Sequence, residues 1–139
     1  MQKDPVRIRL LELERFLREL RDLKRYSFEE IQENLEKEWG IERGLQLCIQ
    51  LVIDAGNHIL ASIGESRVDK YSDILQRLGE REIITKKLAE RLVPMAKMRN
   101  ILVHQYLEID PAIVYDALQN HLEDFTEFTR EILNYMEKN

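Results

Sequence analysis

Cysteine, glycine and proline are scarce in this sequence, and each shortage excludes a class of protein. The single Cys among 139 residues cannot form an intrachain disulfide or a multi-thiolate metal site, which favours a reducing compartment. With only 5 Gly and 3 Pro, and no Asn-Gly or Asp-Gly pair between alternating runs, the chain lacks the turn signals of a β-sheet protein. A hydrophobic fraction of 44% can still form a core, so wholesale disorder is excluded.

Long apolar runs are also missing. No segment approaches the ~20 apolar residues that a membrane span requires, and residues 1–10 lack the apolar stretch of a secretory signal. We therefore expect a cytoplasmic protein that makes no membrane contact. The length of 139 residues predicts a single domain over residues 1–139.

The net charge of −5 is distributed unevenly along the chain. Residues 81–99 carry six basic and two acidic side chains, whereas residues 107–139 carry eight acidic and two basic ones. A basic stripe can attract phosphate locally even on an acidic protein, because the Debye length is only about 10 Å. From charge alone, a pair of solvated helix faces is the favoured interpretation.

Helical periodicity and capping signals run through the chain and predict an all-α bundle of about five or six helices. Asp4-Pro5 is typical of a capped start, and apolar residues at spacings of three and four extend this first helix to about residue 23. Ser27 and Glu30 have capping-box spacing and open a short second helix, which is predicted to end at Trp39-Gly40.

The remaining helices are predicted from the same signals. The apolar segment 41–63 indicates a central helix with Gly64 as its C-cap. Gly79 is expected to stop the helix that follows, and Pro94 to kink or restart the next one, since proline removes a ladder hydrogen bond. Three further helices are predicted, over 71–78, 83–102 and 110–136.

Three polar residues, Asp54, Asn57 and His58, interrupt the apolar pattern of the central helix and share one of its faces. A charged residue on a buried helix is costly unless it is paired or faces a cleft. An internal hydrogen-bond network, such as an Asp54–His58 pair, and the wall of a cleft are both compatible with this pattern. Cys48, on the same helix, is predicted to be a small core hydrophobe.

Residues that ligate metals are too few to predict a metal site. The chain has three dispersed His, one Cys and no Glu-x-x-His pair. A di-metal helical bundle takes carboxylates from several helices and two such pairs. We therefore expect neither a metal nor another cofactor.

The segment 98–106 contains the polar residues best suited to chemistry. On a helix, Arg99 and Tyr106 lie within about 20° of each other, and Asn100 and His104 within about 40°. Arginine carries a permanent charge on a fork that matches phosphate, and histidine takes and gives a proton near pH 7. These residues are compatible with a phosphodiester-handling site, although a satisfied His and a snorkelling Arg are the default interpretation of the spacing.

The same residues resemble a known family. Arg99, His104 and Tyr106 match the R-x4-H-x-Y motif of HEPN-domain proteins, in the HepT-like toxin branch. Two further parts of the chain are similar to the second helix and the short mid-chain helix of that branch: 42–58 and 71–78. The resemblance therefore covers nearly the whole chain, and Pro94, just ahead of the motif, departs from the pattern.

This resemblance implies a HEPN-like bundle that forms a two-fold homodimer and acts as a metal-independent ribonuclease toxin of a type VII toxin–antitoxin pair. The 2′-hydroxyl of RNA would be the nucleophile, and two copies of His104 in one cleft would supply the base and the acid. Arg99, the other catalytic residue, would stabilise the charge of the transition state. The remaining cleft residues are expected to be Asn100, Tyr106, Asp54 and Asn57.

The resemblance also implies a partner, a small MntA-like nucleotidyltransferase antitoxin that silences the toxin. In relatives of the branch the antitoxin adenylylates the motif tyrosine, which corresponds to Tyr106. An attached AMP would add bulk and negative charge where RNA phosphate must lie.

Two other functions remain open at the level of sequence. A non-catalytic partner subunit of a nucleotidyltransferase would use the same Arg, His and Tyr to hold a nucleotide without cleaving anything. A structural helical dimer would need no ligand at all. The sequence does not select an RNA target among the possible ones.

Overall fold

The computed structural model describes residues 3–65 and 68–139, and all regular structure within them is helical. A short 3₁₀ turn, Tyr106–Glu108, separates the fifth helix from the sixth. The all-α prediction is confirmed, although the described residues form more helices than the five or six expected. They are α1 (Asp4–Leu23), α2 (Phe28–Gln32), α3 (Leu35–Ser62), α4 (Tyr71–Glu80), α5 (Lys86–His104), α6 (Pro111–Asn120) and α7 (Leu122–Lys138).

The first two helices begin almost where the capping signals predict. In α1, Lys3 occupies the cap position without a side-chain hydrogen bond, and the predicted cap, Asp4, is instead the first helical residue. The capping box of α2 is confirmed, since the Ser27 hydroxyl accepts from the Glu30 amide at 3.1 Å. The Glu30 carboxylate accepts from the Ser27 amide at 3.0 Å in return.

The predicted helix end at Trp39-Gly40 is wrong. The second helix stops at Gln32, and the Asn34 side chain accepts from the Lys37 amide at 3.0 Å to cap α3. The third helix then continues through Gly40 to Ser62. A single glycine costs a helix only about 1 kcal/mol, so it does not end one that is capped and packed elsewhere.

A residue with a positive φ follows the end of both α3 and α4, and it marks where each helix stops. Gly64 has a φ of 85°, and the amide of Glu65 donates to the Leu60 carbonyl at 3.0 Å, so the predicted C-cap is confirmed. The prediction that Gly79 stops α4 is wrong, because α4 continues to Glu80. The residue with a positive φ, which ends the helix as Gly64 ends α3, lies three residues after Gly79. There Glu82 has a φ of 58°, and the Ile83 amide donates to the Leu78 carbonyl at 2.9 Å.

The second half of the chain differs from the prediction at one further point. Thr85 caps α5 by accepting from the Leu88 amide at 3.3 Å, and the helix runs through Pro94 without restarting. Asp110 caps α6 as predicted, but the helix expected over 110–136 divides at His121 (φ −123°, ψ 4°). Apolar residues keep a helical spacing across this break, so periodicity alone does not reveal it.

One hydrophobic cluster joins all seven helices. Its largest fully buried members include Leu17, Ile53, Phe125 and Phe128, and the described residues contain no buried polar or charged side chain. Cys48 is buried in this cluster, and burial raises the pKa of its thiol to about 12, as expected for a core hydrophobe. Among the described helices, none is both long and apolar enough to span a membrane.

Some basic side chains of the segment 81–99 form ion pairs with other parts of the chain, and so do not only form a solvated helix face. Arg91 of α5 forms ion pairs with Asp124 and Glu127 of α7. Arg81 pairs with Glu65 at 2.6 Å, and together with Arg77 it holds the pKa of that carboxyl below its usual range. Lys97 and Arg99, at the far end of the segment, take part in neither arrangement.

Gly79 allows α4 and α5 to approach closely, which leads to a stability prediction. A Cβ at Gly79 would lie 2.9 Å from the Cβ of Ala89, which cannot rotate away. We expect Gly79→Ala to lower the free energy of unfolding by ~1–3 kcal/mol, since overpacking forces the backbone to shift. The double variant Gly79→Ala/Ala89→Gly should recover most of that loss.

Gly40 provides the matched control. It lies inside α3, where a Cβ would meet no atom within 4 Å apart from its chain neighbours and the backbone of its own helix, so Gly40→Ala should raise the free energy of unfolding by about 0.5–1 kcal/mol. Urea unfolding at one protein concentration measures both variants. A stabilising Gly79→Ala would contradict this account of how α4 packs on α5.

Candidate functional site

Arg99 lies where α3, α4 and α5 meet. Its Nε donates a hydrogen bond to Oε1 of Gln50 in α3 at 3.0 Å. Its guanidinium carbon lies 4.8 Å from the ring centroid of Tyr71, the first residue of α4, which is a cation–π distance. Its Nη1 also donates to Oδ1 of Asn100 at 3.3 Å. The side chain is thus held by contacts from three helices.

A groove of about 470 Å³ opens beside Arg99. Its walls come from the segment before α4, the first residues of α4 and the last turns of α5. Three cations, Lys70, Lys97 and Arg99, line it together with His104 and a single carboxylate, Asp69. Within the described part of the chain neither lysine has an ion-pair partner, so the groove presents net positive charge to an anion.

His104 is the last residue of α5, and it lines this groove one turn after Asn100. Its side chain is exposed, and its imidazole has no hydrogen-bond partner among the described residues. Both ring nitrogens are therefore available to a ligand. The structure brings Arg99, Asn100 and His104 together, as the spacing of the motif predicts.

Tyr106 does not lie where the helical spacing predicts. The fifth helix ends at His104, Gln105 leaves helical geometry (φ −126°, ψ 47°), and Tyr106 opens the 3₁₀ turn. The predicted angle of about 20° between Tyr106 and Arg99 assumed a helix that continues to residue 106, whereas α5 ends two residues earlier. The tyrosine is 72% exposed and does not line the groove.

The polar face of α3 contributes less directly than expected. Asp54 accepts a hydrogen bond from Nε2 of Gln50 at 2.8 Å, so it reaches Arg99 only through that glutamine. This contact favours the internal network over the cleft wall, with Gln50 and not His58 as the partner. Asn57 and His58 are exposed, and neither Asp54 nor Asn57 lines the groove of the single chain.

The sequence analysis did not assign to the site four residues that lie around Arg99 or line the groove: Gln50, Tyr71, Lys70 and Lys97. Gln50 precedes Asp54 by four residues, so a shared helix face is visible in the sequence. No sequence signal links Tyr71 or Lys70 to Arg99, because they meet only when α4 packs on α5. No cluster of three or more possible metal ligands (His, Cys, Asp or Glu) is found within residues 3–65 and 68–139.

Comparison with known sequences identifies relatives of the chain. The family described as "Ribonuclease HepT-like" matches residues 13–132. A tRNA nuclease HepT of Aphanizomenon flos-aquae is 30% identical over 131 residues, which cover 94% of this chain and 89% of the relative. An mRNA nuclease HepT of Shewanella oneidensis is 37% identical over 84 residues, which cover 60% of this chain and 63% of that relative.

Two solved structures share the fold over nearly the whole chain. A toxin–antitoxin structure with AMP-PNP has a TM-score of 0.87 at 25% identity, covering 94% of this chain and 98% of its own. A tri-AMPylated Shewanella oneidensis HEPN toxin in complex with MNT antitoxin has a TM-score of 0.86 at 26% identity, with the same coverage.

The charge of the groove predicts where a small anion binds. In an NMR titration with inorganic phosphate, we expect the largest shift changes at Lys70, Lys97, Arg99 and His104. Lys97→Glu should weaken phosphate binding roughly 5-fold or more, since it replaces attraction by repulsion. Lys87→Glu makes the same charge change on α5 outside the groove. Equal effects of the two variants would contradict a local anion site.

Proposed function

The chain belongs to the HepT-like ribonuclease family, and on that premise we propose that it is a ribonuclease toxin that cleaves RNA in the groove beside Arg99, Asn100 and His104. The observation that carries the proposal is the meeting of these motif residues on one cationic groove. The family match over residues 13–132 and the single core cluster support one HepT-like domain over residues 1–139. A cytoplasmic location is part of the same proposal.

RNA is the substrate class that the relatives support. One curated relative is a tRNA nuclease and another is an mRNA nuclease. The two enzymes act on different molecules, but each of those molecules is an RNA. The feature common to such targets is a phosphodiester next to a 2′-hydroxyl. The lysines of the groove suit such a backbone, because phosphate contacts supply affinity without reading sequence.

The proposed chemistry is attack by the 2′-oxygen on the adjacent phosphorus. The bond from phosphorus to the 5′-oxygen breaks, which leaves a 2′,3′-cyclic phosphate and a 5′-hydroxyl. A base must take the 2′-proton and an acid must give one to the leaving oxygen. His104 suits this task, and Arg99 donates to the non-bridging oxygens as negative charge develops on them. Asn100 binds a phosphate oxygen or orients His104, and the reaction needs neither a metal nor a cofactor.

A two-fold homodimer completes this site. One His104 cannot accept and donate a proton at the same moment, whereas two copies facing a shared cleft divide the roles. Exposed apolar side chains lie close to His104 in sequence and support self-association, among them Ile101 at 36% and Leu107 at 86% exposure. Sedimentation at micromolar concentration should therefore give twice the 16.6 kDa of one chain.

An MntA-like nucleotidyltransferase antitoxin is the proposed partner, and Tyr106 the residue that it adenylylates. A solved neighbour is a tri-AMPylated HEPN toxin bound to MNT antitoxin, which supports this mode of silencing. Tyr106 is the exposed tyrosine of the chain, since Tyr26, Tyr71, Tyr115 and Tyr135 are half-buried. An AMP attached at Tyr106, two residues after His104 in the chain, would add negative charge that repels the RNA backbone.

Cleavage by purified protein tests the proposed function. Wild type should cut RNA in the presence of EDTA and leave cyclic phosphate ends. His104→Ala should lower the rate ~10²–10⁴-fold because the proton carrier is lost, and Arg99→Lys should also be impaired because it loses the fork. His121→Ala, a half-buried histidine outside the groove, is the matched control.

Two results would contradict the ribonuclease proposal. Cleavage that EDTA abolishes and a divalent ion restores would overturn the metal-free chemistry. Wild-type protein that binds nucleotides but cuts no RNA would favour the non-catalytic partner subunit instead.

Mass spectrometry of the chain co-expressed with its nucleotidyltransferase tests the modification. One or several AMP adducts should map to Tyr106. Tyr106→Phe should carry no adduct and should retain most of its cleavage activity, because a phenol is a poor proton carrier at pH 7. Adducts at Tyr71, Tyr115 or Tyr135 would show that the modification site is assigned wrongly.

A further inference from the structure

We propose that Gln50 is a positioning residue for Arg99, and that Asp54 and Tyr71 assist it in aiming the guanidinium into the groove. The expected effect of Gln50 on RNA cleavage rests on the proposed function. The claim that Gln50 holds Arg99 in place rests only on contacts within the chain. Gln50 does not line the groove but accepts a hydrogen bond from Arg99, which does, so we expect its effect on cleavage to act through Arg99.

Some N–H donors of Arg99 bind the protein, and the others remain available to a ligand in the groove. A guanidinium has five N–H donors. Gln50 accepts from Nε at 3.0 Å and Asn100 accepts from Nη1 at 3.3 Å, which leaves three donors on the Nη atoms for a ligand. Because Nε is held by α3, the Nη edge is the one that can engage a phosphate as a fork.

Asp54 sets the orientation of the Gln50 amide. Nε2 of Gln50 donates to Oδ1 of Asp54 at 2.8 Å, so the amide oxygen is turned towards Arg99. A carboxylate accepts but cannot donate, and this makes the opposite amide orientation unfavourable. The pair therefore fixes an acceptor for Nε of Arg99 at a defined position on α3.

A neutral acceptor also leaves the charge of Arg99 uncompensated. Arginines that join elements elsewhere bind carboxylates directly, as Arg91 does with Asp124 and Arg81 with Glu65. At Arg99 the amide of Gln50 stands between the guanidinium and the carboxylate of Asp54. The arrangement fixes the cation while keeping its charge available to an anion in the groove.

Tyr71 restrains the plane of the same guanidinium. Its ring centroid lies 4.8 Å from the guanidinium carbon, so one face of the cation rests on an aromatic ring and not on water. Gln50 and Tyr71 thus hold Arg99 from α3 and α4, and neither adds negative charge. The side chain retains little freedom to rotate away from the groove.

Three variants separate positioning from other roles. Gln50→Met keeps the length of the side chain but removes the acceptor. The double variant Gln50→Glu/Asp54→Asn exchanges donor and acceptor between the two positions, which preserves both hydrogen bonds and the acceptor for Arg99. Gln46→Met is the matched control, one turn earlier on α3 and without a side-chain hydrogen bond in the described residues. Thermal unfolding checks that all three fold.

Steady-state cleavage of RNA gives the kinetic readout. We expect Gln50→Met to lower kcat roughly 10-fold to 100-fold with a smaller change in KM, since a misplaced group loses transition-state contacts most. The double variant restores the hydrogen bonds but places a carboxylate against Arg99, so it should recover only part of the lost kcat, and Gln46→Met should cleave like wild type. Equal kinetics for Gln50→Met and Gln46→Met would overturn the proposal while leaving the proposed function intact.

Nitrogen-15 NMR of the Arg99 Nε–H gives a readout that needs no cleavage. With its resonance assigned from Arg99→Lys, wild type and the double variant should show slow exchange of this proton with water. Gln50→Met should show fast exchange, and slow exchange there would contradict the positioning role. If wild type cuts no RNA, the proposed function fails, and the exchange data alone decide whether Gln50 positions Arg99.

Discussion

The position of Arg99 depends on how closely three helices approach one another. Its Nε–H finds an acceptor on α3, and its guanidinium rests on a ring at the start of α4. The second contact requires α4 to pack tightly on α5, which Gly79 permits because it carries no Cβ to meet Ala89. The apolar packing of the bundle therefore sets the geometry of the charged groove.

The basic side chains of this acidic protein fall into two groups, which differ in whether they are paired with carboxylates. Arg81 and Arg91 bind carboxylates and connect separate elements, so their charge is neutralised locally. Around the groove, Arg99 is held by an amide and a ring, and Lys97 has no ion-pair partner in the described residues. Positive charge that is fixed but uncompensated is suited to binding a phosphodiester.

Helix starts were predicted well at two side-chain caps, Ser27 and Asp110. Helix ends were predicted poorly at two of the three glycines that were taken as a stop, although Gly64 does end α3. Gly40 lies inside α3 and Gly79 inside α4, and the left-handed residue after α4 is Glu82. The reason is that glycine tolerates a helix at modest cost when packing stabilises it, so its presence alone does not end one.

The sequence by itself determined the all-α class and the meeting of Arg99, Asn100 and His104, because residues on one helix are placed by its local geometry alone. The predicted alignment of Tyr106 with Arg99 extended helical geometry to residue 106, whereas α5 ends at His104. Only the tertiary structure decided that Gln50, Tyr71 and Lys70 surround Arg99. These residues come from other segments, and their distances depend on the register in which α3, α4 and α5 pack through the shared core.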